Sequence, residues 1–252
     1  MDNALLVGLS RQVALRRELD VIANNIANIN TSGFKGESVM FEQYLDPTAR
    51  HEYFPGNDRR VAFVTDRATL QDFSQGPLQR TDAPLDVAIN GPGFFAVQTQ
   101  NGERYTRSGN FHLNPQGQLV TNNGHPVLGQ GGPIVFEPTD TNITIAADGT
   151  VSATNAAGQV GERGKLRMVN FANPTQLSAQ GDNLWAAGNG IVAQPATPAT
   201  RAVQGTLERS NVSAVKEMNR MLEVTRAYTT ISNMQQRTDE LRRRAIEKLA
   251  EV

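Results

Sequence analysis

The chain has 252 residues, 24 Lys+Arg against 25 Asp+Glu for a formal net charge of −1, and no cysteine. That length can bury a core in one large or two small domains, and near-neutrality gives no general electrostatic pull toward nucleic acid or an anionic membrane. The missing cysteines exclude disulfides, cysteine-ligated zinc, iron–sulfur clusters and thiol nucleophiles, while 38% hydrophobic residues and 22 glycines are the composition of a folded chain.

Glycine and proline divide the sequence. Residues 1–46 contain no Pro and only Gly8, Gly33 and Gly36, residues 206–252 contain neither, and 18 of the 22 glycines fall between Gly76 and Gly205. Both residues interrupt helices and favour turns, so the order reads helix, turn-rich β domain, helix. The expected fold class is α+β: long N- and C-terminal helices packed as a coiled-coil-like pair, with a central antiparallel β domain. The expected divisions are 1–35, an extended connector over 36–75, a β-rich domain over 76–207, and 208–252.

The first helix is predicted from Asn3 to Asn28. Leu15, Leu19, Ile22, Ile26 and Ile29 recur by four and three, which lays an apolar seam along one face. Leu5, Leu6, Leu9 and Val13 carry an apolar face upstream in a shifted register. Asn30-Thr31-Ser32-Gly33 is the stop, with Gly33 suited to the left-handed conformation after a helix end. Met1-Asp2-Asn3 and the short run Ala4–Leu9 lack the basic start and longer apolar core of a cleaved secretory signal, so export is expected by a route that needs none. No apolar run reaches the ~18–20 residues that span a bilayer.

The middle is expected to be antiparallel. Phe94–Gln100, Asn101-Gly102 and Glu103–Arg107 read as a hairpin with a two-residue turn, and Ile143–Ala147, Asp148-Gly149 and Thr150–Ala153 as a second. Gln116-Gly117 and Asn123-Gly124 mark further turns, and residues 164–171 read as one strand. The last helix is predicted to start near Asn211 or Ser213, either of which can cap it. Its seam runs Ala227, Ile231, Met234, Thr238, Leu241 and Ala245, with Met218, Met221, Leu222, Val224 and Tyr228 upstream. At ~1.5 Å per residue, ~35 residues give ~50 Å, more than one small β domain covers. Arg242-Arg243-Arg244 spread around a turn and read as a solvated end, favourable to the helix dipole.

Signals for chemistry are weak. Gly91-Pro92-Gly93-Phe94-Phe95-Ala96 fits the glycine spacing of a dinucleotide fingerprint, but a strand follows where that fingerprint needs a helix. His51, His112 and His125 lack metal-ligand spacing, and Asp82 and Asp86 around Ala83-Pro84 read as turn chemistry rather than a catalytic pair. No catalytic residue, cofactor or metal is expected.

The stretch Ala23-Asn24-Asn25-Ile26-Ala27-Asn28-Ile29-Asn30-Thr31-Ser32-Gly33-Phe34-Lys35 resembles the ANNLAN-x-x-T-x-GFK signature of bacterial flagellar rod and hook proteins. The resemblance continues at Leu85–Ile89, Gly91–Phe95, Tyr105–Phe111, Gly117–Val120, Ser210-Asn211-Val212 and Arg226-Ala227-Tyr228, in the family order and over nearly the whole chain. Ile26 stands where Leu is usual, Thr229 follows Tyr228 where relatives often carry Glu, and the tail is unusually basic. Length, the Met1-Asp2 start and the stretch 63–85 look most like the proximal-rod branch, with the distal-rod branch close behind.

The resemblance implies a structural, non-enzymatic subunit of the basal-body rod, the drive shaft that crosses the periplasm. It implies export by the flagellar type III apparatus, terminal helices packed into an inner tube, and partners that are other rod subunits and copies of itself, with no nucleic acid and no membrane insertion. The candidate assembly residues are Leu15, Leu19, Ile22, Asn24, Asn25, Ile26, Asn28, Ile29, Gly33 and Phe34 at one end. At the other they are Asn211, Val212, Met218, Leu222, Ala227, Tyr228, Ile231, Met234, Leu241 and Ala245. Asn24, Asn25 and Asn28 are expected to fix register through side-chain hydrogen bonds. Replacing Ile22 and Ile26 by Asp is expected to abolish incorporation. Two alternatives from other classes are a β-rich carbohydrate-active enzyme and a secreted adhesin.

Overall fold

The computed structural model describes residues 2–46, 61–188 and 190–250. Two helices, α1 (Asp2–Ala27) and α2 (Ala214–Ala250), bracket a series of antiparallel strands. The chain divides into two compact units. One takes in α1, the stretch 37–71 and α2, and the other comprises Asn28–Gly36 and Asp72–Val212.

In the helical unit, α1 and α2 lie side by side. Glu18 meets Arg220 at 2.6 Å, while Gly8 faces the Gln235 side chain, so the helices run antiparallel. α2 has 37 residues and α1 has 26. At ~1.5 Å per residue the difference is ~16 Å of helix. Within the stretch expected as a connector, Glu37–Asp46 runs antiparallel to Val61–Gln71, and residues 47–60 lie outside the described residues. The pairing shifts between Met40 and Phe41, where Met40 faces Ala68 and Phe41 faces Asp66. That bulge breaks the period of two by which strands are recognised.

The β unit is built around a six-stranded antiparallel sheet in the order 178–179, 184–186, 102–106, 94–99, 168–170, 194–195. Its central strand Phe94–Thr99 is buried on both faces. Phe94 and Ala96 join Tyr105, Val169, Phe171 and Trp185, while Phe95 and Val97 join Val87, Ile89, Phe111 and Leu119. Two-sided burial is why this segment is a continuous apolar run rather than an alternating one. Edge-to-face aromatic pairs knit both layers, with Tyr105–Phe171 centroids at 4.8 Å and Phe95–Phe111 at 5.2 Å.

The turns differ from the expected ones in one systematic way. In each, glycine holds the fourth position and donates back to the first: Gly117 to Asn114, Gly124 to Thr121, Gly149 to Ala146. In the first hairpin Thr99 pairs with Gly102, so Gln100-Asn101 is the loop and only Gly102 takes positive φ. A type I turn followed by a left-handed glycine gives this geometry, with no positive φ demanded of the Asn or Asp. Residues 164–171 are likewise not one strand. Val160–Lys165 pairs with 150–154, and Met168–Asn170 joins the six-stranded sheet, with the chain turning at Leu166-Arg167. After Gly91-Pro92-Gly93 comes the strand 94–99, which removes the dinucleotide reading.

Candidate functional site

The candidate assembly residues fall into three environments. On α1 the buried face is Ala14, Val21, Ile22 and Asn25, so of the predicted seam only Ile22 is fully covered. Leu15, Leu19, Ile26 and Ile29 are half-buried. Leu6, Leu9 and Val13 are 50–61% exposed and fall, at 100° per residue, on the side away from the buried face. Among the described side chains of α2 only Val224 is buried, with Ala227, Tyr228 and Ile231 half-buried along the same face. Met218, Leu222, Met234, Leu241 and Ala245 are exposed. The exposed Val215, Met218 and Leu222 step by three and four on the face opposite Val224.

The asparagines act locally. Asn25, 2% exposed, donates Nδ2–H to the Glu37 carbonyl at 2.8 Å and accepts the Glu37 N–H on Oδ1 at 2.9 Å. Its amide thus pairs with backbone at the start of a strand rather than across a helix seam. Asn28 accepts the Thr31 hydroxyl at 3.1 Å, within the turn that ends α1, and Asn24 is exposed. Asn211 does not cap α2. Its Nδ2–H donates to the Asp72 carbonyl at 2.7 Å and its Oδ1 accepts Gly36 N–H at 2.8 Å, while the Ser213 carbonyl accepts the first helical bond from Glu217.

Around Gly33 and Phe34, both buried, sits a group of charges that sequence reasoning did not assemble. Lys35 Nζ lies 2.6 Å from Glu208 Oε1, and Arg107 Nη1 lies 3.1 Å from Glu208 Oε2. The Lys35 and Glu208 side chains are fully buried and that of Arg107 is 4% exposed. Other donors and acceptors of the three meet backbone, while Arg107 Nε is buried without a hydrogen-bond partner. Lys35 Nζ donates to the Ser74 carbonyl at 2.6 Å, Gly76 N–H to Glu208 Oε1 at 2.9 Å, and Arg107 Nη2 to the Gly91 carbonyl at 2.9 Å. The guanidinium also stacks over Phe94, 5.5 Å from its centroid.

Burial pushes the Lys35 ammonium below its ordinary value, and the Glu208 carboxylate opposes that shift. The same two effects act on Arg107. The backbone fits this cluster closely. Gly33, at φ +69°, donates to the Glu208 carbonyl at 2.8 Å, and a Cβ there would stand 2.4 Å from the Ser108 nitrogen. Only glycine satisfies both demands. Two cations and one carboxylate, all buried and bonded to one another and to backbone, hold the chain segments in position. Lys35 and Arg107 each lie inside a recognised motif, whereas Glu208 carried no local signal.

Elsewhere, the Asp82 carboxylate is engaged by Arg80 in an exposed turn. Among the described residues no group of His, Asp and Glu has metal-site geometry, and no helix is long and apolar enough to cross a membrane.

Comparison with known proteins matches three stretches of the chain to families. Residues 5–35 match the flagella basal body rod protein family, residues 88–153 the flagellar hook protein FlgE/F/G D1 domain, and residues 203–248 the flagellar basal body rod FlgEFG protein C-terminal family. The chain is 45% identical to the flagellar basal-body rod protein FlgF of Caulobacter vibrioides over 256 aligned positions, covering 100% of both. It is 36% identical to the rod protein FlgG of Buchnera aphidicola, covering 93% of each, and 34% identical to FlgF of Mesorhizobium japonicum, covering 94% of each.

Proposed function

The chain belongs to the flagellar basal-body rod protein family and is a structural subunit of that rod, and we propose that it occupies the proximal rod and polymerises through its terminal helices into the torque-transmitting shaft. The proximal position is supported by the 45% identity to the Caulobacter FlgF, above the 34–37% shared with the FlgG relatives, a range that also holds the Mesorhizobium FlgF. Its partners are then neighbouring rod subunits and further copies of itself, with delivery by the flagellar type III apparatus and a location across the periplasm. The role is mechanical rather than catalytic.

One observation carries the helical assembly. Apolar side chains are exposed where a lone helix pair would carry polar ones: Leu6, Leu9 and Val13 on α1, and Val215, Met218 and Leu222 on α2. Farther along α2, Ile246 and Leu249 are 66% and 79% exposed. Covering one such side chain fully is worth ~1.5–3 kcal/mol, so a few per subunit, repeated around a tube, resist shear. Coiled-coil-like packing is completed between subunits, and head-to-tail contacts that do not close produce a helical shaft.

The test uses exposed positions. Ile22 is a poor probe, because it is buried within its own unit and Asp there would unfold it. Met218→Asp with Leu222→Asp should leave the purified protein's melting curve nearly unchanged, since exposed substitutions stay within about ±0.5 kcal/mol. The same variant should be missing from isolated basal bodies, and cells carrying it should not swim. Normal incorporation and motility would remove the helices from the assembly interface.

A further inference from the structure

We propose that residues 28–36 dock on the β unit only after residues 206–211 are in place, while residues 206–211 dock without them. The buried Lys35–Glu208–Arg107 cluster is therefore a one-way latch that joins the two ends of the chain in a fixed order. The inference concerns the inside of one unit and holds whether or not the protein polymerises.

The hydrogen bonds are unequal. Residues 206–208 pair with 78–80, Arg209 N–H donates to the Pro77 carbonyl at 2.9 Å, and the Asn211 amide donates to the Asp72 carbonyl. Those partners lie outside 28–36. By contrast, the N-terminal segment rests on the C-terminal one. Gly33 N–H donates to the Glu208 carbonyl, Gly36 N–H to Asn211 Oδ1, and Arg209 Nη2 to Asn30 Oδ1 at 2.7 Å. Its other polar anchors are the Ser74 carbonyl on Lys35, the Asn183 amide on the Ser32 carbonyl, and the Asp72 N–H on the Gly36 carbonyl.

The charges are unequal in the same direction. Lifting out 28–36 removes Lys35 and leaves Glu208 paired with Arg107. Lifting out 206–211 removes the carboxylate bonded to both and leaves Lys35 and Arg107 as two buried cations, with only the weak pull of the exposed Asp72 carboxylate on Lys35. Burying an uncompensated charge is strongly unfavourable, so the second arrangement expels Lys35 and with it the segment that carries it. The segment that comes first along the chain waits for one more than 170 positions later, and the β unit closes only when both ends are present.

Hydrogen exchange of single amides on the full-length protein tests the order. Gly33 and Gly36 report the N-terminal segment, and Arg209 reports the C-terminal one. In the unmodified protein, Gly33 and Gly36 should exchange at least about tenfold faster than Arg209 relative to their intrinsic rates, through an opening that leaves Arg209 protected. Lys35→Met should speed Gly33 and Gly36 further and leave Arg209 within about threefold of its original rate, because Glu208 keeps Arg107. Glu208→Gln should speed all three by about a hundredfold or more, the scale of stranding a buried charge. Equal protection of the two segments in the unmodified protein would overturn the proposal, as would Arg209 accelerating with the others in Lys35→Met. If Glu208→Gln fails to fold, the unmodified protein and Lys35→Met decide the question between them.

Discussion

The two units are stabilised in opposite ways. The β unit buries aromatic and branched side chains on both faces of its central strand, with Phe95, Val97, Ile89 and Leu119 all at 0% exposure. The 37-residue α2 buries one hydrophobic side chain among those described, Val224, and leaves Met218, Leu222, Met234 and Leu241 more than half exposed. Apolar spacing alone does not distinguish a finished core from a surface kept for another molecule. Burial does. The β unit covers the side chains of its central sheet within one chain and exposes only scattered ones such as Val160 and Val192, while the helices carry apolar residues in helical steps that this chain leaves uncovered.

The sharpest way to break that comparison is one substitution in each unit. Phe95→Ala removes a ring that is fully buried and packed edge-to-face against Phe111, and such truncations cost about 3–5 kcal/mol. Leu222→Ala removes a side chain 56% exposed, and should move stability by no more than about 0.5 kcal/mol. Chemical denaturation of the purified variants checks both. A large loss from Leu222→Ala would mean that α2 completes its packing within the single chain.

Alkaline pH probes the β unit next. Burial, a hydrogen bond to Glu103 and the Glu103 charge push the Tyr105 hydroxyl up to about 12 from its ordinary 10.0. Between those values the unfolded chain loses the phenolic proton and the folded one keeps it. The folded state then binds more protons, so this group makes stability fall as pH rises from 10 to 12. Lys35, shifted downward by burial, acts the other way in the window that ends at its ordinary 10.5. Tyr105→Phe abolishes only the first effect. Its denaturation midpoint should decline less across that range than that of the unmodified protein, with about 2 kcal/mol separating the slopes when integrated. Parallel declines would show that the hydroxyl ionises as readily folded as unfolded.

The helices and their order were legible because Pro is absent and Gly sparse in residues 1–46 and both are absent from 206–252, and the β domain because glycines punctuate it. Turn positions were legible to within one residue. The sequence marks the glycine but not whether it stands inside the loop or after it. The strands 37–46 and 61–71 were not legible as a pair, because the bulge between Met40 and Phe41 disrupts their alternation. The seams were read correctly as apolar, but periodicity does not say which face a neighbouring helix takes. Asn25 was legible as part of a motif, though not its bond to Glu37, which depends on how the chain returns after Gly33. The Lys35–Glu208–Arg107 cluster was least legible. Its members are separated by up to 173 positions, and an isolated Glu between Leu207 and Arg209 looks like any surface acid.

The smallest expected effect is the most specific to the helical unit. Glu18 and Arg220 form an ion pair between α1 and α2, at 2.6 Å, with the Arg220 side chain 59% exposed. Solvent screens such a pair and both long side chains lose freedom in forming it, so its worth is about 0.2–1 kcal/mol. Arg220→Ala should therefore lower stability by less than ~1 kcal/mol, and by still less in 1 M salt, where screening extends only ~3 Å. Thermal melts at low and high salt measure both numbers. The outcome bears directly on what holds the helices together in one chain. With Val224 the single buried hydrophobe among the described side chains of α2, a loss well above 1 kcal/mol would mean that this pair, rather than apolar contact, fixes their antiparallel register. A small, salt-sensitive loss would leave the register to Ala14, Val21, Ile22 and Val224, and leave the exposed seam free to do its work between subunits.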